Sequence, residues 1–108
     1  MATITVTYVD KKLIMSDKGH TNASRSEQIH WHPGNGVKSV TNVIAKSSSP
    51  VSTANFWSNP PHQNGANFKG TISDNAEGDW DYDISCNVGT NSNPEIITID
   101  PRIQVLSR

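Results

Sequence analysis

The chain has 108 residues, the length of one ordinary domain and too short for two that each bury a core. Nine Lys plus Arg against ten Asp plus Glu give a formal charge of −1, which supplies no field to gather a phosphate backbone or an anionic lipid surface, so nucleic acid and membrane are set aside as partners. At 33% the apolar content is below the roughly 45–50% usual for globular domains, yet charge is low and three tryptophans sit within regular apolar patterns, so a folded domain with a thin core is expected rather than disorder.

In chain order, Ile4-Thr-Val-Thr-Tyr8 alternates with period two and predicts a half-buried strand, continued after an Asp10-Lys-Lys bend by Leu13 to Met15. Ile29 and Trp31 mark a further strand, ended by the breaker Pro33-Gly-Asn-Gly36. The β-branched residues between Val37 and Ala45 favour strand over helix. From Lys46 to Gln63 the chain is rich in Ser, Asn and Pro, so extended or irregular structure is expected, pinned by Phe56 and Trp57. Asn64-Gly65 is a turn signal, followed by a strand at Asn67-Phe-Lys-Gly-Thr-Ile72. The clearest alternation runs from Trp80 to Val88, with Trp80, Tyr82, Ile84, Cys86 and Val88 on one face. Ile96 to Leu106 is the last strand region, broken at Asp100-Pro101 because proline donates no ladder hydrogen bond. No segment has capped helical periodicity, and no repeat recurs at a fixed period. The expected fold is all-β, a single two-sheet antiparallel sandwich of about seven or eight short strands.

The order of these elements is similar to that of cupredoxin-like domains, with an immunoglobulin-like sandwich as the alternative arrangement. The elements that carry the similarity are the strand with Trp31, the Gly turn, Val37 to Ala45, the Pro-rich excursion, Phe68, the Gly78-Asp-Trp-Asp-Tyr82 strand ending at Cys86, and an apolar closing strand at Ile103 to Leu106. The resemblance implies a cysteine delivered to a metal site, with a His and a Met shortly after it. Here no His and no Met follow Cys86, so the resemblance implies a copper-free member and no cofactor.

Three side-chain groups are candidates for a site. His30 and His32 flank Trp31, and on a strand their spacing places both imidazoles on one face, roughly 7 Å apart. With His62 they form the candidate metal set, against the plainer reading of solvent-facing histidines; His20 and His62 are expected in loops. Asp79, Asp81 and Asp83 share the face opposite Trp80 and are expected to be a solvated row that discourages sheet-edge pairing rather than a Ca²⁺ site. Phe56, Trp57, Asn59, His62, Gln63 and Asn64 combine rings, amides and prolines in an expected loop, suited to a protein partner or a sugar face.

Cys86 falls on the apolar face, where a thiol is structural rather than nucleophilic, and no catalytic signature for acyl transfer, phosphate cradling or zinc hydrolysis is present. The reading is therefore a non-catalytic structural or interaction module. It associates with itself or a protein partner through sheet edges and loop aromatics, the alternatives being metal binding at His30 and His32 or carbohydrate binding at Trp57. A start without basic or long apolar segments, together with a lone cysteine, leads us to expect the cytoplasm. On that expectation the Asn22-Ala-Ser24 acceptor pattern is fortuitous.

Overall fold

The computed structural model of the chain describes residues 2–90 and 92–106. It is all-β apart from one turn of helix. The elements are β1 (Ala2–Val9), β2 (Lys12–Met15), β3 (His20–Ala23), β4 (Gln28–Pro33), β5 (Ser39–Ala45), α1 (Thr53–Phe56), β6 (Trp57–Asn64), β7 (Asn67–Ile72), β8 (Gly78–Asn87), β9 (Ile96–Ile99) and β10 (Arg102–Val105). One five-stranded sheet has the order β2-β1-β4-β7-β6, and the facing sheet has β3-β10-β8-β5, with β9 also paired to β8. No described helix is long and apolar enough to cross a membrane.

Among the described residues ten strands replace the seven or eight expected, and both sheets are mixed rather than antiparallel. The reason lies in the path of the chain. β1 and β2 form a hairpin whose two central residues, Asp10 and Lys11, both take positive φ (52° and 64°), the backbone that matches strand twist in a two-residue turn. The chain then crosses to the other sheet as β3 and returns as β4 beside β1, in the same direction as β1. β3 in turn lies parallel to β10. β3 itself, His20-Thr-Asn-Ala23, carries no apolar alternation and was not among the predicted strands; it also removes His20 from the expected loop.

The Pro-rich excursion is more ordered than its composition implies. Ser52 caps α1 by accepting a hydrogen bond from the Asn55 amide at 3.3 Å, and Trp57 then switches to extended backbone (φ −117°, ψ 130°) to begin β6. β6 carries Pro60 and Pro61 because it is the edge of its sheet and its register shifts twice, so the missing donors break no central ladder. The β6–β7 hairpin turns at Gly65-Ala66, with Gly65 at φ 67°.

Strand β8 is the spine of the second sheet. Trp80, Tyr82, Ile84 and Cys86 are fully buried, as the alternation predicts, while Val88 lies beyond the strand end and is partly buried. β9 and β10 lie end to end on one side of β8, bent at Asp100-Pro101; there the Pro101 carbonyl still accepts from the Tyr82 amide at 3.1 Å.

The core is joined across the two sheets by aromatic rings. Trp31 of the first sheet meets Trp57 at 5.9 Å and Tyr82 at 5.8 Å, and Trp80 closes the ring at 5.0 Å from both Trp57 and Tyr82. Within it, Trp31 Nε1–H donates to the Tyr82 hydroxyl at 3.1 Å, and burial pushes that hydroxyl's pKa upward. Replacing Tyr82 with Phe should cost about 1–3 kcal/mol, because it leaves the Trp31 donor buried without an acceptor. Urea unfolding checks this: the midpoint falls at unchanged slope, and adding Trp31→Phe costs less than the sum of the two single changes.

Candidate functional site

The outer face of the first sheet holds the histidines. Strand alternation turns Ile29 and Trp31 inward and leaves His30 half-buried and His32 exposed on the opposite face. His62 belongs to β6 rather than to a loop. Across the sheet, Lys69 of β7 is the register partner of both His30 on β4 and His62 on β6, so the order along this row is His30, Lys69, His62. The adjoining row is Gln28, Thr71, Asn59. These six side chains, over the backbone of Gly70, line a depression of about 60 Å³. His32 is not part of it.

The polar atoms in this depression are unevenly satisfied. His62 Nδ1 lies 3.0 Å from the Pro60 carbonyl, and since a carbonyl only accepts, Nδ1 carries the proton there. His30 Nε2 is buried and has no hydrogen-bond partner among the described residues. No carboxylate lines the depression, and no group of three or more His, Cys, Asp or Glu among the described residues is arranged to hold a metal ion. The candidate metal set thus divides: His30 and His62 line one depression, His32 does not, and Lys69 lies between the two that do in the strand register.

The candidate sugar-facing or partner-facing segment divides as well. Phe56 and Trp57 are 0% and 3% exposed and belong to the aromatic core, so neither presents a ring face to a ligand. Asn59, Gln63 and Asn64 are exposed on β6.

On the other sheet, the carboxylates of β8 are neutralised rather than simply solvated. Arg102 reaches Asp81 through Nε at 2.6 Å and Nη2 at 3.2 Å, and Asp79 through Nη1 at 3.2 Å, while Lys46 spans Asp83 at 3.4 Å and Asp100 at 3.1 Å. The hydrogen bond to Lys46 holds the Asp100 carboxyl below its ordinary range and raises Lys46. That contribution is present at neutral pH and is lost as pH falls through the depressed Asp100 value; with Asp100 largely in solvent, it is screened by salt. Cys86 is fully buried, and burial pushes its thiol up to about 11, which suppresses the nucleophilic thiolate.

A second feature lies beside β9. Leu13, Ile14 and Met15 of β2, with Lys18, Gly19, Ile99, Asp100 and Pro101, line an open groove of about 340 Å³. The ladder from β8 is fixed at both ends by Val88 N–H to the Glu95 carbonyl (2.8 Å) and Tyr82 N–H to the Pro101 carbonyl (3.1 Å). Antiparallel pairs alternate, so Ile97 and Ile99 bond toward β8, while the amides and carbonyls of Ile96, Thr98 and Asp100 point away from it. Past the bend the outward position is taken: Arg102 N–H donates to the Gly19 carbonyl at 2.8 Å, where β3 begins to cover β10. Among the described residues, no strand covers the edge of β9. No family model matches the chain, and no curated protein matches it either.

Two groups escaped sequence reasoning. Lys69 could have been found, since Phe68, Gly70 and Ile72 facing inward put Lys69 and Thr71 on the histidine face. The open β9 edge could not, because it depends on where β3 stops.

Proposed function

We propose that the chain is a non-catalytic interaction module that associates with a second copy of itself by pairing β9 with β9. The observation that supports this reading is the row of outward ladder groups at Ile96, Thr98 and Asp100, which pair with no other strand among the described residues, together with Ile96, which is 53% exposed. The remaining edges are better guarded. β6 has Pro60 and Pro61, β2 and β3 carry Lys12, His20 and Asn22, and β5 is bulged between Val40 and Asn42, with the Val40 amide taken by the Ala66 carbonyl. Within Ile96–Ile99 there is neither proline nor charge, and three of its four residues are isoleucine.

A two-fold axis through Thr98 places Thr98 opposite Thr98 and Ile96 opposite Asp100, and joins the two sheets in the order β5-β8-β9-β9-β8-β5. Light scattering at increasing concentration tests this, with a dimer expected. Thr98→Pro removes one outward amide while Ile97 and Ile99 keep their bonds to β8, so it should yield a cooperatively melting monomer. Ile96→Lys should do the same by placing charge on the edge. A wild-type monomer at every concentration, or dimers that survive both changes, would refute the proposal.

A further inference from the structure

A different face of the molecule carries a separate inference. We infer that the depression formed by His30, Lys69 and His62 binds a small tetrahedral oxyanion of the size of sulfate or phosphate. Four observations converge on this chemistry. Lys69 is half-buried and has no acidic partner among the described residues, so its charge is uncompensated. It stands between two imidazoles in cross-strand register, one on each side. His30 lines the depression, and its Nε2 is buried with no hydrogen-bond partner among the described residues, a polar atom left unmatched beside the site. The remaining lining groups, Gln28, Asn59 and Thr71, carry neutral amide and hydroxyl donors and add no negative charge.

The sign of the field decides between an anion and a cation. Two imidazoles alone would serve a divalent metal, but the ammonium of Lys69 between them repels one, and no carboxylate or thiolate lines the depression to offset it. For an oxyanion the same three groups act together: Lys69 supplies the charge, and His30 and His62 each supply an N–H directed at a different oxygen. With His62 Nδ1 committed to the Pro60 carbonyl, it is Nε2 that acquires the second N–H when the ring is protonated. Size agrees: about 60 Å³ is room for roughly two waters, enough to seat one compact ion.

Isothermal titration of the wild-type protein with sodium sulfate, against sodium chloride at matched ionic strength, tests the inference. Saturable binding of one sulfate per chain is expected, with no counterpart in chloride. Lys69→Met should weaken it about 10- to 100-fold, the range expected for one lost charge-assisted hydrogen bond, and Lys69→Arg should restore part of the loss. Unchanged melting of each variant in chloride shows that the fold is intact. Phenyl phosphate separates a free ion from the end of a larger molecule: its exclusion supports the enclosed site, and binding as tight as sulfate overturns that confinement. Absence of sulfate binding, binding indifferent to Lys69→Met, or Zn²⁺ binding that tightens at alkaline pH while sulfate does not bind would overturn the inference. None of these results depends on whether β9 pairs.

Discussion

Trp80→Ala lowers the stability of the domain by about 3–5 kcal/mol, the range for emptying a buried large aromatic position. Trp80 is fully buried and is the ring on which the core converges: Phe56 stacks on it at 5.9 Å, Trp57 meets it edge-on at 5.0 Å and Tyr82 stacks at 5.0 Å. Its Nε1–H also reaches the Thr53 hydroxyl at 3.4 Å, which ties α1 to β8. Removing the indole therefore opens a cavity between two sheets whose aromatic contacts run through it. Small domains have only about 5–15 kcal/mol in total, so a loss of this size consumes a large fraction of the stability. Urea unfolding followed by circular dichroism measures it. A loss below about 1 kcal/mol would mean that the sheets close over the gap and that the ring does not hold them apart.

The same residue shows how much of the fold is legible in the sequence. Trp80, Tyr82, Ile84 and Cys86 alternate because β8 has one face in the core, and period two survives in any half-buried strand. The bend at Pro101 is legible for an equally local reason: proline's missing donor. Pairing is not local. That β4 lies parallel to β1, and β3 to β10, depends on where the chain crosses between sheets, and nothing in His20-Thr-Asn-Ala23 announces a strand. Phe56 and Trp57 mislead in a different way. The segment reads as a loop whose rings suit a partner or a sugar face; the change from helix to extended backbone at Trp57 instead lets both turn into the core. His62 reads as a loop residue because its segment is rich in Ser, Asn and Pro, although an edge strand tolerates the prolines. The candidate site was thus half legible: His30 and His62 were named, but Lys69, which reverses the charge preference, enters only through the register of β7.

Gly36→Ala tests the junction that sets the β1–β4 pairing, and the expected cost is about 3 kcal/mol, from left-handed backbone together with angular distortion. After β4 the loop stays against β1: Gly34 N–H donates to the Val6 carbonyl at 2.7 Å, and Tyr8 N–H donates to the Asn35 carbonyl at 2.9 Å. Gly36 follows at φ 81°, and a Cβ there would come within 2.6 Å of the Tyr8 carbonyl oxygen, a backbone atom that cannot swing aside. Gly65→Ala is the matched control. Its φ of 67° is similarly left-handed, yet nothing lies within 4 Å of the added carbon, so it should cost only about 1–2 kcal/mol of backbone strain. The difference between the two substitutions isolates the close approach of the loop to β1. A larger loss at Gly36, read from urea midpoints, means that the hydrogen bonds at Val6 and Asn35 hold the loop rigidly in place. Equal losses mean that the loop lifts away from Tyr8, and that β1 and β4 are held by their five-residue register from Ala2 to Val6 without it.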